Sequence, residues 1–208
     1  MNLLNKAIKR YRDGILLNTL YQRLNLRKTG LILYYLVEEG LFGNDAPMIK
    51  PKINPLEVVV FGPSDIAELA RNPERDYSKE EMLKMQTDGC VCFGIRYKKD
   101  IAACMWYDLG QCSYKYLKFK LEQDEAYLYS ARTFKAYRGK ALAPYLRLKV
   151  YEHLAARGRT KLYSITLFEN TPSIMFKKKI NAKNLKLYLR IRKFGKYNSN
   201  ILLRGNKK

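Results

Sequence analysis

The spacing of hydrophobic positions changes twice along this chain, and each change predicts a different kind of element. From Leu4 through Ile8, Tyr11, Ile15, Leu16, Leu20 and Leu24, apolar residues recur at helical spacing with Lys6, Lys9, Arg10, Arg12, Arg23, Arg27 and Lys28 between them. That pattern predicts a basic amphipathic helical segment over residues 1–43. The stretch GNDAPMIKPKINP then places three prolines in thirteen residues, which predicts a linker over 44–55. The longest apolar run of the first part, Leu31 to Val37, is too short to cross a bilayer.

From Leu56 onward, short strand-like runs alternate with helical ones. LEVVVFG reads as a buried strand, PSDIAELARNP as a short helix capped by Ser64 or Asp65, and SKEEMLKMQTDG as a second helix closed by Gly89. CVCFGIRY and IAACMWYDL, joined by the polar KKD, predict a hairpin. YLKFKLEQDEAYLYSARTF supplies one or two more strands, the break falling near Gln123 and Asp124. Leu142, Leu146, Val150 and Leu154 then line one face of a long helix that starts near Lys140 and runs to Gly158, with Pro144 tolerated in its first turn. The strand KLYSITLF, a short helix begun by Asn170 or Thr171 with Pro172 behind it, and two closing strands complete the pattern. The predicted class is α/β (α+β): a mixed, mostly antiparallel central sheet flanked by helices, occupying 56–208 as a single main domain.

Charge adds a partner class. With 40 Lys and Arg against 19 Asp and Glu, the formal net charge is +21 over 208 residues, and a field of that sign attracts anions: a phosphorylated cofactor, an acidic carrier protein, an anionic membrane or nucleic acid. The excess is concentrated at the end, because no Asp or Glu follows Glu169. Cysteines at 90, 92, 104 and 112 lack paired C-x-x-C spacing, and the single histidine, His153, lies in a helical pattern; reduced strand cysteines fit better than a metal centre. No secretory signal pattern opens the chain. The expectation is a cytoplasmic protein, with residues 1–30 either packed on the main domain or attached to the inner face of a membrane.

The stretch AYRGKALAPYL, Ala136 to Leu146, carries the candidate chemistry. It follows a strand and opens a helix, so unpaired amides and the positive end of the helix dipole meet there. Gly139, Ala141 and Ala143 leave the backbone open to phosphate oxygens, and Arg138 and Lys140 add cations. Together they make an anion cradle.

The run from about Leu56 to Arg204 resembles the GNAT superfamily of acyl-CoA-dependent N-acyltransferases, on two signatures in order. YLYSARTFKAYRGKALAPYLRLKVYEHLAARG is similar to the family's strand followed by R-G-x-G-x-G/A, and LYSITLFENTPSIMFKKKINAK to its N-x-x-(S/A) helix element. The basic N-terminal segment ahead of this domain looks, more loosely, like members found in bacterial surface-polysaccharide gene sets. The resemblance implies acetyl-CoA as donor, held at its pyrophosphate by Arg138, Gly139, Lys140, Ala141, Leu142 and Ala143. It implies that Ala131, Arg132 and Thr133 pair with the pantetheine arm, one of their amides facing the thioester oxygen, and that Asn170 and Ser173 touch the cofactor. No metal is implied. The acceptor would be a primary amine, with an amino sugar as the preferred class.

Three departures stand out. Ala141 occupies the place of the family's central glycine, and Lys177 that of a tyrosine which protonates the thiolate in many members; Asn181 replaces a further glycine. For proton transfer, Glu125 is the first choice of base, with Asp108 and Glu122 as alternatives, and Tyr129 or Tyr127 as acid. Other readings stay open: a donor on an acyl carrier protein, longer acyl chains, a member that binds CoA without catalysis, or a nucleic-acid binder using LKLYLRIRKFGKYNSN. No helix-turn-helix, zinc-finger or RNP signature backs the last, and outward cations on an edge strand explain the same pattern.

Overall fold

The structure, a computed structural model, describes residues 21, 23, 30–41, 48–193 and 197–205. Most of the basic segment expected over 1–43, and the first part of the linker, therefore lie outside the described residues. At the end of that segment the structure corrects the expectation: strand β1 spans Leu31–Glu39. LILYYLV is a continuous run of branched and aromatic side chains, and such a run suits a strand covered on both faces better than a helix with a polar side. Tyr34 and Val37 are buried accordingly.

The chain forms two compact units. One comprises residues 38–164 and 179–182, the other 1–37, 165–178 and 183–208. In the first, the described part of the linker, 48–55, has no regular structure and leads into β2 (Leu56–Val60), α1 (Pro63–Leu69) and α2 (Lys79–Thr87). Next come β3 (Val91–Tyr97), β4 (Asp100–Asp108), a small separate hairpin of β5 (Gln111–Tyr114) and β6 (Leu117–Lys120), and β7 (Glu125–Thr133). Helix α3 (Leu142–Ala155) and the start of β8 (Lys161–Leu167) complete this unit.

Its strands are ordered β2-β3-β4-β7-β8, antiparallel throughout except for the parallel pair β7–β8. A parallel pair needs a crossover, and α3 supplies it. The mixed, mostly antiparallel sheet with flanking helices is the predicted class. The core gathers Phe61, Ile66, Leu69, Met82, Cys92, Trp106 and Phe134 beneath α1 and α2. Phe61 packs so closely on the backbone of β3 that a Cβ at Gly94 would come within 2.0 Å of its ring, and only glycine fits.

Helix starts differ in detail from expectation. Gly62, rather than Ser64 or Asp65, is the N-cap of α1; Pro63 takes the first helical position, and Asp65 reaches back to the Gly62 N–H at 2.9 Å. Helix α2 has a reciprocal capping box, with Ser78 Oγ accepting from Glu81 N–H at 3.2 Å and Glu81 from Ser78 N–H at 2.7 Å.

In the second unit, α4 (Thr171–Lys179, its last residue in the first unit) is followed by β9 (Lys183–Lys193) and β10 (Tyr197–Arg204), an antiparallel pair. Tyr34 of β1 stacks on Tyr188 of β9 at 5.2 Å and donates to Asn200 Oδ1 at 2.7 Å. Asn170 Oδ1 accepts from Ser173 N–H at 3.1 Å and so caps α4. No described helix is long and apolar enough to cross a membrane.

Candidate functional site

β7 outruns its parallel neighbour. The register with β8 covers Glu125↔Lys161 to Leu128↔Ser164, and β7 continues through Tyr129, Ser130, Ala131 and Arg132 to Thr133. On its other edge β7 pairs with β4, but Cys104↔Arg132 gives way to Trp106↔Tyr129. Two steps on β4 answer to three on β7, so one extra residue is bulged there. The bulge coincides with Ser130, which has φ +46°, a left-handed conformation few L-residues adopt.

Edge geometry beyond the bulge follows from one bond. Phe134 N–H donates to Ala102 O, leading into β4, at 3.1 Å. Successive residues of a regular strand aim their amides at opposite edges, so Arg132 N–H faces β4 and Thr133 N–H faces the edge where pairing with β8 has ended, while Ala131 lies inside the bulge, where that alternation is broken. Thr133, named from the sequence, thus presents its backbone N–H to an open strand edge. Thr133 Oγ1 is buried and has no hydrogen-bond partner among the described residues.

A 3-10 turn, Lys135–Tyr137, carries the chain from β7 to the cradle. Gly139 has φ +76° and Ala141 φ +61°; Ala141 is the N-cap of α3, and the helix begins at Leu142 rather than Lys140. Two left-handed residues either side of Lys140 turn the chain twice within three positions. Among the described residues, no hydrogen bond engages the amides of Gly139, Lys140, Ala141, Leu142 or Ala143. These five N–H groups stand at the positive end of a 14-residue helix whose first turn holds no acidic residue. The alanine at 141 therefore makes the turn that a glycine would make. A Cβ at Gly139 would meet nothing within 4 Å.

The cations around the cradle are less free than the sequence suggests. Arg138 donates to Glu74 Oε2 at 2.7 Å and, through Nε, to Thr133 O at 3.1 Å. Lys140 Nζ lies over the Tyr137 ring at 5.2 Å. Tyr137 donates to Asp100 at 2.6 Å, and that bond, aided by burial, pushes its pKa up to about 12. The linker joins the site as well, because Lys52 N–H donates to Lys140 O at 3.0 Å.

The proposed proton-transfer groups are placed differently. Glu125 is buried at the start of β7; its carboxylate accepts from Tyr163 at 2.8 Å and from Glu122 N–H at 3.1 Å. Six residue steps along the strand separate it from Ala131, roughly 20 Å. The structure therefore does not bring Glu125 to the residues that face the open edge. Tyr129 lies next to the bulge and stacks on Tyr127 at 5.2 Å. Burial, reinforced by a hydrogen bond with Cys90, raises its pKa well above the ordinary range, which keeps the phenol protonated and makes it a weaker acid than a solvated tyrosine. Asp108 is occupied as a turn residue, accepting from Gly110 N–H at 2.7 Å and Gln111 N–H at 3.1 Å.

Asn170 and Ser173 belong to the second unit, where Ser173 Oγ lies 3.5 Å from Thr166 Oγ1. Lys177, in the same unit, is 5% exposed and donates to the Thr166 hydroxyl. Among the described residues no group of His, Cys, Asp and Glu is placed to hold a metal ion.

Two acidic residues that sequence reasoning passed over organise the site. Glu74 and Asp76, between α1 and α2, bond to Arg138, Lys135 N–H, Ser130 and Arg132. The only hint in the sequence is a charged stretch, NPERDYS, whose partners lie more than fifty residues away.

No protein-family model matches this chain, and no curated protein matches it. Solved structures do share its fold. A Novosphingobium aromaticivorans protein assigned to the GNAT acetyltransferases superposes with TM-score 0.51 at 18% identity over 76% of this chain and 61% of its own. A tandem GNAT protein from the clavulanic acid biosynthesis pathway gives TM-score 0.55 at 12% identity over 76% of this chain and 52% of its own. A Drosophila protein gives 0.52 at 13% identity, over 81% and 54%. The chain thus spans between half and two thirds of the length of these structures, and what it shares with them is the fold.

Proposed function

We propose that this chain is an acyl-CoA-dependent N-acyltransferase that moves an acetyl or other short acyl group to a primary amine. The observation that carries this reading is the row of five amides, Gly139 to Ala143, unengaged among the described residues at the start of α3, directly after a strand that ends in a bulge and an open edge at Thr133. A pyrophosphate meets the first and a pantetheine arm can add to the second as a further strand would. The fold shared with GNAT acetyltransferases supports the same reading.

Chemically, the amine nitrogen attacks the thioester carbonyl, the carbonyl oxygen takes negative charge in a tetrahedral intermediate, and the C–S bond then breaks. The amine loses one proton and the departing thiolate gains one. The Ala131 amide supplies the hydrogen bond that stabilises the oxyanion, and the cradle holds the donor so that attack is effectively unimolecular. Tyr129, next to the bulge in β7, is the proposed proton donor for the thiolate.

The preferred acceptor is an amino sugar of a surface-glycan precursor, supported only by the loose likeness of the basic N-terminal segment. Attachment of residues 1–30 to an anionic membrane is proposed on the same footing. Because β1 belongs to the folded chain, that idea is tested by liposome flotation of a charge-reversed form, with Lys6, Lys9, Arg10 and Arg12 changed to Glu, rather than by truncation.

Thermal-shift titration with CoA, acetyl-CoA and pantethine tests the main reading. CoA and acetyl-CoA should stabilise the fold and pantethine, which has no pyrophosphate, should not. Stabilisation by none of them refutes the reading; equal stabilisation by pantethine removes the cradle from it and favours a donor carried on another protein.

A further inference from the structure

We infer that Asp76 is a positioning residue for acyl transfer: it clamps the bulged stretch of β7 and thereby aims the Ala131 amide. The inference rests on the reading of the cradle and the open edge as the donor site. Asp76 Oδ2 accepts from Ser130 Oγ at 2.8 Å, and Oδ1 forms an ion pair with the Arg132 guanidinium. One carboxylate thus grips the residues immediately before and after Ala131, and touches neither the cradle nor Ala131 itself.

The gripped residue is the strained one. Ser130 holds φ +46°, and its left-handed turn decides which way the next amide points. Without the bulge, strand alternation would carry on from Thr133 unbroken; with it, the direction of the Ala131 N–H depends on how firmly Ser130 is held. A charged acceptor on Ser130 Oγ, braced by Arg132 from the other side, fixes that turn. The neighbouring carboxylate repeats the device one step downstream: Glu74 accepts from Lys135 N–H at 3.0 Å and from Arg138 at 2.7 Å. The segment between α1 and α2 is itself stiffened, since Asn72 Oδ1 accepts from Glu74 N–H at 2.9 Å. A loop that needed only a tether would be served by either pair. The pairing of Asp76 across a single residue, with a left-handed backbone on one side, is what a register device requires.

The experiment needs no knowledge of the acceptor. Acetyl-CoA labelled with carbon-13 at the acetyl carbonyl is bound to the full-length protein, and the carbonyl stretch is read by infrared difference spectroscopy, with affinity measured by calorimetry on the same samples. In the wild type, a hydrogen bond from Ala131 lowers the carbonyl frequency relative to free acetyl-CoA. Asp76→Ala should bind acetyl-CoA within about threefold of wild type, because the cradle amides are untouched, yet lose the frequency shift. Asp76→Asn, which keeps the shape and an acceptor for Ser130 while losing the charge, should retain part of it and serves where the alanine form does not fold. A wild-type shift that survives unchanged in both variants overturns the role of Asp76, as does bound acetyl-CoA whose carbonyl is unshifted in the wild type. A wild type that binds no CoA species overturns the donor-site reading, and the clamp with it.

Discussion

Ala141 allows the cradle to be tested through stability before any ligand is added. With φ +61° and ψ +21° it sits in the left-handed region, which costs an L-residue with a Cβ roughly 1–2 kcal/mol. Replacing it by glycine removes that cost but gives the unfolded chain more freedom, worth about 0.4–1 kcal/mol in the opposite direction. The net expectation is a gain of about 0.5–1 kcal/mol. Two positions on, Ala143 is helical, and glycine there should lose about 0.5–1 kcal/mol. The two variants, identical in chemistry, are thus expected to move in opposite senses and to differ by about 1–2 kcal/mol. In a domain of this size that is a separation of about 2–8 °C in Tm, readable by scanning calorimetry. Because the freedom given to position 141 belongs to the unfolded chain and is already lost on folding, CoA affinity should change by less than about twofold in Ala141→Gly. If Ala141→Gly lowers Tm as far as Ala143→Gly does, the left-handed turn does not exist in solution and the cradle argument fails.

The buried carboxylate of Glu39 accepts from Tyr151 and Ser164 and pairs with Arg147 Nε at 3.0 Å, with both charged side chains almost fully enclosed. Glu39→Ala leaves the arginine charge uncompensated and should cost about 3–5 kcal/mol in urea denaturation, whereas Glu39→Met with Arg147→Met should cost much less; a loss under about 1 kcal/mol for Glu39→Ala would show that the pair is not buried as described. His153 gives a pH prediction. Arg157, which can only donate, bonds to His153 Nδ1 at 2.9 Å, so the neutral ring carries its proton on Nε2, facing Tyr107 Oη at 3.0 Å. Burial and then Arg157 lower its pKa from 6.5. The unfolded chain therefore takes up the extra proton first, and the stabilisation, present above about pH 6.5, is lost as pH falls through the lower folded value. His153→Gln should flatten the stability profile between about pH 7 and pH 5; an unchanged slope would place the titrating group elsewhere.

Most elements of the 38–164 unit were legible because each carries its own punctuation. Ser78 with Glu81, the Lys98-Lys99 turn, and Pro144 in a first helical turn are local signals that needed no partner to be read. β1 was misread as helix because its neighbours in sequence are basic and helically spaced, while its own composition, LILYYLV, answers to strands that are hundreds of bonds away along the chain. The cradle was legible for a related reason: glycine and alanine beside cations at a helix entrance is a local pattern. What was hidden is everything made by long-range pairing of polar groups. Asp76 with Ser130, Glu74 with Arg138 and Glu39 with Arg147 join positions 54, 64 and 108 residues apart, and nothing in the spacing of charges along the chain marks which acid meets which base.

That distinction changes how the excess charge bears on function. In the sequence, exposed amides and the cations Arg138 and Lys140 stand together as the anion-binding groups of a chain with net charge +21. The structure gives Arg138 a carboxylate and a carbonyl of its own, and gives Arg132 to Asp76. An incoming pyrophosphate would have to share Arg138 with Glu74, at some cost to the bond that helps seat the segment between α1 and α2. Among the described residues, the amides from Gly139 to Ala143 have no such prior claim. Their dipoles are fixed by two left-handed residues and by a helix anchored through Arg147 and Tyr151 to Glu39 and so to Ser164, the last residue of β8 paired with β7. Fixed dipoles need no reorganisation when the ligand arrives, whereas mobile cations must be ordered and released from their partners. On this ground the backbone, rather than the conspicuous arginine, is the principal anion-binding group of the site, and the surplus lysines act at longer range, raising the local concentration of an anionic donor.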